Sequence, residues 1–84
     1  MVFNILYILR GVKMEIKEIK IRTEYITTGQ LLKIADIIPS GGMAKFFLSE
    51  NEVYVDGVLD LRRGKKLYPG MTVEIPGYGV YKIV

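Results

Sequence analysis

The 84 residues contain neither cysteine nor histidine. Without cysteine there can be no disulfide and no thiolate metal site. Without histidine the chain lacks the commonest general base and the commonest transition-metal ligand. Carboxylates, lysine and tyrosine could still act as catalysts, but no pair of them is spaced for it. The spacing of Asp36, Asp56, Asp60 and Glu74 does not offer the clustered carboxylates of a Mg²⁺ site. Helix solvation, turn formation and strand exposure account for each of them. No enzyme, no cofactor, no metal and no small-molecule substrate are therefore expected. Long apolar runs are missing as well. Val2 to Leu9 is apolar apart from Asn4, far short of the roughly 20 residues that cross a bilayer.

What is present is ordinary globular composition, half hydrophobic and a quarter charged, in a length that suits one compact domain. The formal net charge of +3 is small, so position matters more than the total. Arg62, Arg63, Lys65 and Lys66 place four cations in five residues, interrupted only by Gly64. Such a run is either a solvated face or a site for a polyanion.

The N-terminus reads differently from the rest. In residues 1–13 the positive charges, Arg10 and Lys13, follow the apolar stretch instead of preceding it, which is the wrong order for a secretory signal. Residues 1–13 are expected to be a non-native or loosely packed extension, with translation naturally starting at Met14. The alternative is an extra strand or short helix on the core. Residues 14–84 form the single domain.

From Met14 to Arg22 alternation marks a first strand. Thr27 with Gln30 fits a capping box. Leu31, Leu32, Ala35 and Ile38 recur at helical spacing, leaving Lys33 and Asp36 to solvent. The run Pro39-Ser40-Gly41-Gly42 should end this helix and start the next, with Ser40 as N-cap. The second helix spans about 42–50, with Ala44, Phe47 and Leu48 on its inner face and Lys45 outside. Val53 and Val55 alternate into an Asp56-Gly57 hairpin turn, and Val58-Leu59 begins the return. Pro69-Gly70 and Pro76-Gly77 are further turns around short strands. The order predicts an α+β fold: a two-helix hairpin packed on a small, mostly antiparallel sheet of short strands.

The segment SGGMAKFFLSENEVYVDG resembles the central motif of the RNA-binding domain of ribosomal small-subunit protein four, the alpha-L motif. Ser40, Ala44, Lys45, Phe47, Leu48, Val53, Val55, Asp56 and Gly57 fall at matching positions. TTGQLLKIADIIPSGGMAK, DLRRGKKLYPG and the terminal GYGVYKIV are similar to a short, stand-alone bacterial branch, the YaaA type. Gly41 stands where the wider family usually has arginine, so one phosphate contact is absent and the basic quartet takes its place. The resemblance implies a cytoplasmic bacterial protein that binds structured RNA, ribosomal RNA foremost, and assists ribosome assembly on ribosomal particles, with no membrane partner. A protein-interaction module docking on an acidic surface is the alternative.

The residues expected to carry RNA binding are Arg62, Arg63, Lys65, Lys66, Lys45, Lys33, Gly41, Gly42 and Tyr68. The cations would relieve their mutual repulsion on an RNA backbone while releasing counterions, and arginine adds a planar fork for phosphate. Gly64 would let the loop fold back so that both basic pairs reach one surface. Gly41 and Gly42 at the second helix start would let a phosphate approach outward N–H groups. A tight interhelical turn also explains them and is the stronger reading. Tyr68, beside the loop, is the aromatic residue placed for stacking on a base. The other aromatics, including Phe46, are expected to pack in the core or on the sheet.

Overall fold

Alternation of apolar and polar residues shapes the sheet, and the computed structural model describes it for residues 6–9 and 12–84, with side chains from residue 15 onward. Questions about residues 1–5, 10 and 11, including whether they belong to a non-native extension, lie outside the described residues. In chain order the strands are β1 (Leu6–Leu9), β2 (Val12–Ile19), β3 (Ile26–Thr27), β4 (Tyr54–Val55), β5 (Val58–Leu59), β6 (Lys66–Leu67), β7 (Thr72–Ile75) and β8 (Gly79–Ile83). The helices are α1 (Thr28–Ile34) and α2 (Ala44–Glu50). Six strands form one sheet in the order β1-β2-β8-β7-β4-β5, and β3 and β6 pair as a separate two-stranded ribbon.

The fold is α+β, with two helices packed on a mostly antiparallel sheet. Its exception is the pair β2 and β8, which run parallel with Ile16 beside Val80 and Ile19 beside Ile83. A parallel pair needs a long crossover, and here the crossover includes both helices and the hairpins. β8, between β2 and β7, buries Val80, Tyr81 and Ile83 almost completely. β7 keeps the simple alternation: Val73 and Ile75 face inward, Thr72 and Glu74 outward.

The Asp56-Gly57 turn has both residues at positive φ, 49° and 82°. That is the type I′ geometry matching the right-handed twist of the flanking strands. The Asp56 carboxylate accepts a hydrogen bond from the Thr72 N–H at 2.9 Å, tying the hairpin to β7.

α1 starts as its sequence prescribes. The Thr27 hydroxyl accepts from the Gln30 N–H, and the Gln30 side chain accepts from the Thr27 N–H at 2.8 Å. The helix ends earlier than Pro39-Ser40-Gly41-Gly42 predicts. Asp36 adopts φ 58°, its N–H donates to Lys33 O, and the Ile37 N–H donates to Leu32 O. This is a Schellman closure, with aspartate where glycine is usual, because a short polar side chain tolerates the left-handed region. Ile38 therefore enters the core from beyond the helix, 4% exposed.

The second helix also departs from expectation. Gly41–Met43 forms a 3₁₀ turn, α2 proper begins at Ala44, and the Ser40 side chain makes no cap. Ser40 instead accepts from the Met43 N–H through its carbonyl. Ala44, Phe47 and Leu48 are buried as predicted, against Leu31, Leu32, Val53 and Leu67 in one cluster. Phe46 is not packed as expected of the aromatics: at 62% exposed it stands in solvent, one position out of phase with the stripe of Ala44, Phe47 and Leu48.

Candidate functional site

The basic loop between β5 and β6 is fastened to the start of α1 by main-chain groups. The Thr28 N–H donates to Lys65 O at 3.0 Å and the Gly29 N–H to Arg63 O at 2.9 Å. A helix leaves its first N–H groups without partners, and here the loop carbonyls satisfy two of them. Gly29 lies close under this contact, with room for little more than a methyl group. A Cβ there would lie 3.4 Å from Arg63 O and 3.5 Å from the Ala44 Cβ. Leu67, 0% exposed, anchors the far end of the loop in the core, worth roughly 2 kcal/mol. Repulsion between two neighbouring exposed cations in water is about 1 kcal/mol at contact, so one buried side chain plus two hydrogen bonds can hold the loop's charges together.

The side chains of the quartet diverge. Arg63 lines two adjoining open depressions. One, of about 360 Å³, it shares with Lys33, Thr27, Gly29, Gln30, Gly41, Ala44 and Gly64. The other, of about 390 Å³, it shares with Lys45, Leu48, Ser49 and Leu61. Lys33 from α1, Lys45 from α2 and Arg63 from the loop are thus brought together around the helical hairpin. Gly41 lies on the wall of the first depression. A Cβ on Gly41 would meet nothing within 4 Å, and one on Gly42 only the Ser40 hydroxyl at 3.8 Å. Neither glycine has the positive φ that would demand it, so the turn itself does not require them.

Arg62 and Lys65 belong to a separate depression with Val55, Asp56, Val58, Asp60 and Met71. There Arg62 is held by Asp60: its Nε donates at 2.9 Å and its Nη2 at 2.7 Å to the two carboxylate oxygens. The backbone N–H of Arg62 donates to the same carboxylate at 3.1 Å. These contacts, the Arg62 side-chain bonds first, lower the Asp60 pKa to about 2 against a smaller opposing effect of burial. Among the described residues, no carboxylate pairs with Lys33, Lys45, Arg63, Lys65 or Lys66. Gly64 does not fold the loop so that both basic pairs share one surface. It has no positive φ, and the Lys65 N–H closes a turn on Arg62 O, leaving Arg62 with Asp60 and Arg63 with the helices.

Lys66 and Tyr68 flank Leu67, and both point to the outside of the ribbon. The Lys66 ammonium lies 5.0 Å from the centre of the Tyr25 ring, and the Tyr25 and Tyr68 rings are 5.5 Å apart. Two residues of this site escaped the sequence reading. Tyr25 meets Tyr68 only through the β3–β6 pairing, and nothing local to Tyr25 signals it. Asp60, read as turn or strand exposure, had a usable sign: a carboxylate two residues before an arginine in a turn.

The chain is 61% identical over 66 residues to a probable ribosome maturation protein, RlbA, of Bacillus subtilis (strain 168), an alignment covering 79% of this chain and 93% of the relative. It is 38% identical over 50 residues to a putative RNA-binding protein, YbcJ, of Escherichia coli (strain K12), covering 60% of this chain and 71% of the relative. No solved structure matches. The S4 domain family matches residues 19–84, the span that holds both helices, the basic loop and the β3–β6 ribbon. The chain belongs to the S4 domain family.

Proposed function

We propose that this protein binds structured RNA, ribosomal RNA foremost, by gripping phosphates between the helical hairpin and the basic loop. It acts by binding and without chemistry, in the cytoplasm, on ribosomal particles during their assembly. Residues 14–84 are the RNA-binding unit. The observation that carries the reading is the placement of Arg63 between Lys33 and Lys45, three cations that pair with no carboxylate among the described residues, on a loop fastened to α1 by main-chain hydrogen bonds. Preorganisation of this kind lowers the ordering cost of binding. The names of the two relatives, ribosome maturation and RNA binding, point the same way.

Arg63 and Lys33 form one phosphate seat, with Gly41 leaving the wall low. Arg63 and Lys45 form the next. Lys65 and Lys66 add long-range attraction, Gly42 leaves the hairpin turn open, and Arg62 contributes less because Asp60 neutralises it. The test is titration of a labelled ribosomal RNA fragment, with excess acidic peptide or unlabelled structured RNA as competitor. Displacement by RNA and not by peptide is the expected result. Displacement by peptide alone would move the assignment to an acidic protein surface.

A further inference from the structure

Beyond the phosphate groove, we propose that the outer face of the β3–β6 ribbon is a seat for one unpaired nucleotide. The base would stack on Tyr68 and the phosphate would lie against Lys66. The proposal rests on the RNA-binding reading above and adds a second kind of contact to it.

Strand geometry creates the seat. In the ribbon Ile26 pairs with Leu67 and Thr27 with Lys66. Ile26 and Leu67 are buried in the core, so alternation sends Tyr25, Thr27, Lys66 and Tyr68 to the opposite face. One register step beyond the last pair, Tyr25 stands opposite Tyr68, with ring centroids 5.5 Å apart and planes inclined by 48°. Tyr25 is half-buried and Tyr68 is 37% exposed, so Tyr25 supports and Tyr68 presents. The Tyr68 backbone is fixed by the following turn, where its carbonyl accepts from the Met71 N–H at 3.0 Å. The ring therefore needs little further ordering to receive a base.

The chemistry selects a nucleotide. An aromatic face accepts any base by stacking, and the Lys66 ammonium, 5.0 Å from the Tyr25 ring centre, supplies a cation for the attached phosphate. Thr27 connects this face to the groove, because it belongs to the ribbon and also lines the depression shared by Lys33 and Arg63. A strand leaving a helical stem seated in the groove would pass over Thr27 to Tyr68. A fully paired stem offers no exposed base face and could not use the seat.

The test uses the whole protein and two RNA hairpins of identical stem, one blunt and one ending in three unpaired nucleotides. The overhang should tighten wild-type binding by roughly five- to 150-fold, the value of stacking one base. Tyr68→Leu should erase that gain, read as the ratio of its own affinities for the two hairpins, and Tyr68→Phe should keep it. Because the chain has no tryptophan, tyrosine emission reports directly, and the overhang should quench it in wild type but not in Tyr68→Leu to the same extent. If Tyr68→Leu does not fold, Lys66→Gln replaces it and should reduce the gain. Equal affinity of the wild type for both hairpins, or a gain that survives Tyr68→Leu, overturns the seat. Neither touches the groove, which fails separately if blunt-hairpin binding is insensitive to salt. An overhang gain that disappears in Tyr68→Leu under that circumstance would still support the seat.

Discussion

Replacing Arg63 by alanine should change the salt dependence of RNA binding by a definite amount, and replacing its neighbour Arg62 should not. Each phosphate neutralised contributes about −0.9 to the slope of log K against log salt on a duplex. With Lys33, Arg63 and Lys45 each on a phosphate, the groove contributes about −2.7, and wild-type affinity falls roughly 40-fold between 50 and 200 mM salt. Arg63→Ala lowers the contribution to about −1.8, a fall of roughly 12-fold over the same range. Arg62 donates to both oxygens of Asp60 and carries almost no net charge to the RNA, so Arg62→Ala should leave the slope within about 0.3. The double variant should flatten the slope by about one, where two unpaired arginines would give about two. Asp60→Asn should steepen it by up to about one, by freeing Arg62. Filter binding or fluorescence anisotropy at five salt concentrations measures all of these. Thermal melting controls for folding, because the loop is fastened by the Arg63 carbonyl, which alanine retains. Equal flattening by Arg62→Ala and Arg63→Ala would refute the division of labour read from the ion pair.

Gly29→Val should destabilise the domain by about 1–3 kcal/mol in urea unfolding and weaken RNA binding further, since a Cβ alone would already touch Arg63 O and the Ala44 Cβ and the two further methyls add bulk beyond it. Thr28 has a fully buried hydroxyl with no hydrogen-bond partner among the described residues. Thr28→Val, the same shape without that group, should therefore be neutral or stabilising by about 1 kcal/mol in the same assay. Asp60 has its pKa lowered in the folded state, so its stabilising contribution is present above the unfolded value near 4 and is lost as pH falls toward about 2. The stability difference between wild type and Asp60→Asn should accordingly be constant from about pH 5 to 7 and shrink below about pH 4.

Much of the architecture was legible because it is written in local signals. Thr27 and Gln30 announce the start of α1, Asp56-Gly57 fixes a hairpin by its backbone preferences, and Val73 and Ile75 alternate as a half-buried strand must. The end of α1 was misread because Asp36 closes it by entering the left-handed region, and Asp does so too seldom to outweigh the Gly and Pro that follow. The parallel pairing of β2 with β8 joins the beginning and end of the domain, and no neighbouring residue encodes it. In the site, helix phase put Lys33 and Lys45 on the outside of the hairpin, while their company with Arg63 was implied only by the family resemblance and by no local signal. The separation of Arg62 from Arg63 did not, since composition treats adjacent arginines alike and only the turn after Asp60 tells them apart. The company of Tyr25 and Tyr68 depends on a two-residue ribbon too short to show a period.

The junction between the loop and α1 uses the main-chain carbonyls of Arg63 and Lys65, groups that do not depend on which side chain the residue carries. Side-chain identity at these positions is thereby uncoupled from the path of the chain. A different side chain at either position would change the charge that the loop presents without disturbing the support beneath it.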